Sequence, residues 1–164
     1  MGKSNVGKSS LINAICQRKQ VARVSNTPGR TQQINFFEVD QMLFVDLPGY
    51  GYAKVPQNMR TDWEKLIIHY LQCRPTLLFV LLLVDGRRGI KEHDKAVMDL
   101  FDRFGINFYI VYTKCDKLLR SELSQLRSHA STFQVSMKDQ VALGQLRAFI
   151  NDEVAKYDQH QDNG

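Results

Sequence analysis

Cysteine is scarce in this chain of 164 residues, with only Cys16, Cys73 and Cys115. The three are scattered and odd in number, which excludes a paired disulfide framework and the close spacing of a zinc site. Such usage suits a reducing compartment. His69, His93, His129 and His160 likewise lack the spacing of metal ligands. Long apolar runs are missing too: Leu77–Val84, eight residues, is too short to cross a bilayer. It reads instead as a strand buried on both faces. Neither a repeat nor a linker is visible, and no signal or transit segment stands at the start. Acidic residues are outnumbered, 17 against 22 basic ones, and the resulting net charge of +5 favours anionic partners. A hydrophobic content of 43% over this length supports one domain with an adequate core.

What is present begins at once. Gly2-Lys3-Ser4-Asn5-Val6-Gly7-Lys8-Ser9 is a full G-x-x-x-x-G-K-S phosphate loop. Its glycines let backbone N–H groups approach phosphate oxygens closely. Lys8 can reach the β- and γ-phosphates, and the Ser9 hydroxyl can ligate Mg²⁺. The following residues 10–16 read as a helix whose first N–H groups open toward the phosphates. The motif ordinarily follows a strand, yet only Met1 precedes Gly2. The expectation is therefore a truncated or misassigned start, with the central first strand missing. Two strand edges would then be open and the loop anchored on one side only.

Further along, residues 34–39 and 42–45 form a hairpin around Asp40-Gln41. Helices are expected near 59–71, 92–104, 122–129 and 141–157, and strands at 77–84, 108–112 and 132–135. Alternating strands and helices imply a mostly parallel sheet covered on both faces, an α/β architecture. The boundaries are one domain over 2–157 and a polar, frayed tail over 158–164.

In such folds ligands gather at the carboxyl ends of strands, and the polar motifs fall there. Asp46-Leu47-Pro48-Gly49 ends the second strand; Asp46 can support Mg²⁺ and the Gly49 amide can meet a γ-phosphate. Thr113-Lys114-Cys115-Asp116 ends a later strand. The Asp116 carboxylate can accept hydrogen bonds from the guanine N1–H and exocyclic amine, with the Lys114 stem along the base. Capping a helix is its other use. Ser136-Met137-Lys138 follows the last strand and can present amides to a base oxygen, or be a plain turn. In the loop Ser25–Thr31, Thr31 is the preferred hydroxyl for completing a Mg²⁺ shell, with Thr27 the alternative.

Taken together, the stretches SNVGKSSLIN, TPGRTQQINFF, DLPGYGYAKV, LLLVDGRRGIKEHD and TKCDKL resemble the EngB family of GTPases, in order and spacing, from Gly2 to about Val154. The resemblance implies a Ras-like P-loop GTPase domain, here without its first strand, that binds GTP or GDP with Mg²⁺. It implies a role in large ribosomal subunit assembly on rRNA, and a link with cell division and septation. The implied setting is the bacterial cytoplasm or an organelle, as a monomer, with neither DNA nor membrane as partner. Nucleotide contacts would come from Gly2, Lys3, Ser4, Asn5, Val6, Gly7, Lys8, Ser9 and Ser10, from Asp46 and Gly49, from Thr113, Lys114 and Asp116, and from Val135, Ser136 and Met137. Metal contacts would come from Ser9, Thr31 and Asp46, and catalysis would fall to Lys8, Asn5 and Thr31. Lys3 stands where the family commonly has Arg, and Thr113 where most small G proteins have Asn.

Tyr50 occupies the position at which Ras-type enzymes carry the water-orienting Gln. A phenol substitutes poorly, so intrinsic turnover is expected at or below the order of 10⁻³ s⁻¹. Asn5 resembles the Asn that related GTPases use to hold K⁺. Tyr50, Tyr52, Lys54 and Arg60 are candidates for a face shown only with GTP, and Arg87, Arg88 and Lys91 form a second basic cluster suited to RNA. Two other readings stand beside the GTPase: a non-hydrolysing nucleotide- or RNA-binding scaffold, and an ATP-using phosphoryl transferase, which Asp116 disfavours.

Overall fold

Hydrophobic runs buried on two faces decide the centre of the molecule. The computed structural model describes residues 1–3, 5–17, 34–39, 42–47, 67–126 and 132–162. Helix α1 (Lys8–Ile15) is followed by the strands β1 (Asn35–Val39) and β2 (Met42–Asp46). Residues 67–73 are helical (α2). Then come β3 (Val80–Asp85), α3 (Glu92–Arg103), β4 (Phe108–Thr113), α4 (Arg120–Gln125), β5 (Thr132–Gln134) and α5 (Gln140–Asp162). Strands β3, β4 and β5 form a parallel sheet in that order, while β1 and β2 pair antiparallel with Val39 opposite Met42.

Side chains alternate across the parallel sheet, as the two-residue period of a strand requires. Leu83 and Val111 join Val6, Leu11, Val135, Leu143, Leu146 and Ile150 on the face covered by α1 and α5. Val80 and Leu82 pack with Ile67, Leu71 and Phe101 on the opposite face, beside Val84, Ile110 and Tyr112. Burial on both faces explains why these strands read as continuous apolar runs.

Several boundaries differ from the expected ones for local reasons. β3 starts at Val80, not Leu77: Leu77 N–H turns back to the Arg74 carbonyl, and the ladder opens where Val80 N–H meets the Asn107 carbonyl. α4 begins at Arg120 because the Glu122 carboxylate accepts the Leu119 N–H at 2.7 Å. α5 is capped by Asp139 Oδ1, which accepts from Val141 and Ala142 N–H at 3.1 and 3.0 Å. It also continues to Asp162, so residues 158–162 are helical where a frayed tail was expected. No glycine or proline interrupts that stretch before Gly164. Of the helix expected near 59–71, only its last residues are described.

The expected open edges are present, since among the described residues β2 pairs only with β1 and β3 only with β4 along its length, but the amino terminus ties the phosphate loop to β3. The Met1 amino group donates to the Leu81 carbonyl at 2.7 Å, and the Met1 carbonyl accepts from Leu83 N–H at 2.7 Å. Gly2 makes a parallel bridge to Leu83. Burial, together with the Lys8 charge, pushes the Met1 amine from 8.0 down to about 5. Two residues of strand-like pairing therefore hold the loop onto β3. Beyond them, a cavity of about 410 Å³ separates β2 from β3, with Met1, Leu11, Phe44, Val45, Leu81 and Ile150 in its lining.

Candidate functional site

The loop from Gly2 to Lys8 folds tightly for steric reasons. A Cβ on Gly2 would stand 2.7 Å from the Leu83 carbonyl oxygen, so only glycine lies this close to β3. Gly7 has φ +103, a conformation other residues rarely adopt. Between them Val6 is buried and anchors the loop from beneath, and Val6 N–H donates to the Lys3 carbonyl at 3.2 Å. The Gly7 carbonyl accepts Leu11 N–H at 2.9 Å and starts α1, whose first turn carries Ser9 and Ser10. Its free N–H groups make an anion-binding end.

Lys8 reaches the end of β2. Its Nζ donates to the Leu47 carbonyl at 2.8 Å and lies 2.9 Å from Asp46 Oδ1, both side chains being largely buried. That approach forms an ion pair but not a hydrogen bond, and Asp46 Oδ1 has no hydrogen-bond partner. A buried carboxylate oxygen left this way suits a hard divalent cation, as does a hydroxyl at the start of α1. Asp46 and Ser9 are the described residues that could hold Mg²⁺. No cluster of three His, Cys, Asp or Glu side chains is found among the described residues; Mg²⁺ characteristically takes one or two carboxylates and keeps several waters.

The loop after β4 is tied to the phosphate loop by two bonds. Thr113 Oγ1, buried, donates to the Val6 carbonyl at 2.7 Å. Lys114, with φ +60, sends Nζ to the Asn5 carbonyl at 2.7 Å and to Asp85 Oδ2 at 2.9 Å. Asp116 opens outward on the 3₁₀ turn Cys115–Lys117. Desolvation works to raise its pKa, but the Ser136 hydroxyl and the charges of Lys117 and Lys138 outweigh that and hold it below the usual value. Ser136 is buried at the end of β5, Val135 N–H donates to the Tyr112 carbonyl at 2.8 Å, and Cys115 N–H donates to the Val135 carbonyl at 3.2 Å. Met137 is exposed. Burial pushes the Cys115 thiol up to about 11, which makes it an inert filler.

The fold thus gathers Gly2, Lys3, Asn5, Val6, Gly7, Lys8, Ser9 and Ser10 with Asp46 on one side and Thr113, Lys114, Asp116, Val135, Ser136 and Met137 on the other. Ser4, Thr31, Thr27, Gly49, Tyr50, Tyr52, Lys54 and Arg60 lie outside the described residues. Asp85 received no role from the sequence, although it is central: it binds Arg87 through Nε and Nη2 at 2.9 and 2.7 Å, besides Lys114. The available signal was an Asp followed by Gly at the carboxyl end of a parallel strand.

The chain is similar to known GTP-binding proteins. Residues 1–114 match a family model described as 50S ribosome-binding GTPase. A probable GTP-binding protein EngB of Rickettsia bellii (strain OSU 85-389) is 52% identical over 138 residues, spanning 84% of this chain and 64% of the relative. The counterpart from Rickettsia prowazekii (strain Madrid E) is 47% identical over 158 residues, 90% of this chain and 74% of that protein. The chain therefore spans less than two thirds of the length of the R. bellii relative. Among solved structures, a probable GTP-binding protein EngB superposes with a TM-score of 0.72 at 23% identity, covering 94% of this chain and 96% of that one. Era bound to MgGDPNP and nucleotides 1506–1542 of 16S ribosomal RNA gives 0.70 at 21% identity, covering 91% and 53%. These two likenesses describe a shared fold, that of Ras-like P-loop GTPases.

Proposed function

We propose, for a chain that belongs to the EngB family of GTP-binding proteins, that it binds GTP and GDP and acts as a slow, Mg²⁺-dependent GTPase switch in large ribosomal subunit assembly. The observation that carries the reading is the double tether between the loops, Thr113 to Val6 and Lys114 to Asn5, each at 2.7 Å. It supports the reading because it fastens the loop that carries Asp116 to the glycine-rich loop, and preorganisation of that kind lowers the cost of binding.

Within this reading Lys8 and the amides of the loop carry the phosphates, and Lys8 exchanges Asp46 for the nucleotide. Asp46 and Ser9, joined by Thr31, would hold Mg²⁺, which supplies charge neutralisation to the transferring phosphoryl group. Asp116 selects guanine, Ser136 orients it, and Val135 and Met137 flank the base. Asn5 is the residue to which a K⁺ requirement is assigned. The family resemblance extends the proposal to a link with cell division and septation, and the positive net charge supports rRNA as the anionic partner.

Fluorescent GDP binding tests the reading. GDP should compete and ADP should not, and Asp116→Asn should shift preference toward xanthosine nucleotides. Equal competition by ADP would refute guanine selection. Hydrolysis should run faster in K⁺ than in Na⁺, with the difference lost in Asn5→Asp.

A further inference from the structure

Beside the guanine-reading loop, whose Lys114 forms part of its wall, and on the side of the β3–α3 turn, lies a second cavity of about 370 Å³ lined also by Lys3, Asp85, Arg87, Arg88 and Lys91. Cations dominate it. Among the described residues, Lys3, Arg88 and Lys91 form no ion pair. All three are exposed. The acidic groups present are already engaged: Asp94 Oδ2 accepts Lys91 N–H at 2.8 Å, and Asp85 accepts from Arg87 and Lys114. Unpaired cations from two separate chain segments facing one cavity make a phosphate-binding surface.

The cavity is wired to the phosphate loop. Arg87 grips Asp85 with Nε and Nη2; Asp85 Oδ2 shares Lys114 Nζ; and the same Nζ donates to the Asn5 carbonyl. We infer that this cavity binds the phosphodiester backbone of RNA, and that Arg87, by leaving Asp85 for a backbone phosphate, loosens the grip on guanine nucleotide. Once Arg87 departs, the Asp85 charge falls wholly on Lys114 and draws its Nζ from the Asn5 carbonyl, slackening the tie between the two nucleotide-holding loops. Linkage requires that guanine nucleotide weaken RNA binding by the same factor. The inference rests on the proposed nucleotide site and RNA partner, and adds the surface and the relay between them.

The test uses a fluorescein-labelled oligouridine and fluorescent GDP on the full chain. Oligouridine should bind, and the double variant Arg88→Ala/Lys91→Ala should lose roughly tenfold in RNA affinity while fluorescent GDP binding stays unchanged without RNA. Its salt dependence should flatten by about 1.4 in log–log slope, the share of two phosphate contacts on a single strand. Saturating oligouridine should weaken fluorescent GDP binding roughly fivefold, a common size for such coupling. Arg87→Ala should weaken GDP without RNA and erase that response. RNA affinity indifferent to the double variant would overturn the surface while leaving an RNA partner in place. A response that persists in Arg87→Ala would overturn the relay. No oligouridine binding by the wild-type chain would overturn the surface together with the RNA partner, whereas failure to bind fluorescent GDP would overturn the nucleotide site beneath the relay.

Discussion

The buried hydroxyl of Thr113 donates to the main-chain oxygen of Val6 at 2.7 Å, joining positions 107 residues apart. A second acceptor, the Val84 carbonyl, lies farther off at 3.4 Å. The single hydroxyl proton therefore serves the phosphate loop. A residue that departs from the Asn of most small G proteins does its work through a shorter side chain.

Thr113→Val, which keeps shape and removes the donor, should cost about 1–3 kcal/mol of stability by leaving the Val6 carbonyl unpaired. Urea denaturation measures this, and fluorescent GDP affinity should fall with it because the loop loses its tie. Unchanged values in both would show that the bond is idle.

Lys8 and Asp46 form the second dependent pair, 2.9 Å apart and mostly removed from water. Lys8→Met should abolish nucleotide binding and destabilise the chain by about 3–5 kcal/mol, the usual cost of stranding a buried charge. Adding Asp46→Asn should recover much of the lost stability and none of the binding. Denaturation of the four members of the cycle measures the coupling, and additive effects would contradict it.

Acid sensitivity should come in part from Asp85. Hydrogen bonds from Arg87, and then the nearby Lys114, hold its carboxyl well below the ordinary 3.8 despite desolvation acting the other way. In the unfolded chain it titrates near its ordinary value, so between the two the unfolded state binds more protons. The stabilising contribution is complete above about pH 4 and is lost as pH falls through the folded value. Thermal unfolding from pH 5 down to 3 should fall less steeply in Asp85→Asn than in the parent chain.

Most of the framework was readable in advance because short-range patterning carried it. The β1–β2 hairpin, α3, β4 and the phosphate loop were placed within a residue or two, since an apolar period or a rigid glycine spacing leaves few alternatives. Ends governed by hydrogen bonds were harder: β3 begins three residues late where its ladder starts, and α5 runs past its last apolar residue because nothing breaks it.

Residue types and their order were enough to propose the chemistry: an amide cradle, a lysine, a hydroxyl and a carboxylate suited to guanine, each tied to a local motif. Contacts between segments far apart in the chain were invisible there. The Thr113–Val6 tie, the Lys8–Asp46 pair, the seating of Met1 on Leu81 and Leu83, and the sharing of Asp85 between Arg87 and Lys114 arise only when sheet packing brings those segments together. Motifs are local and leave a mark in sequence, whereas charge compensation in a dry interior depends on which groups the folded chain makes neighbours.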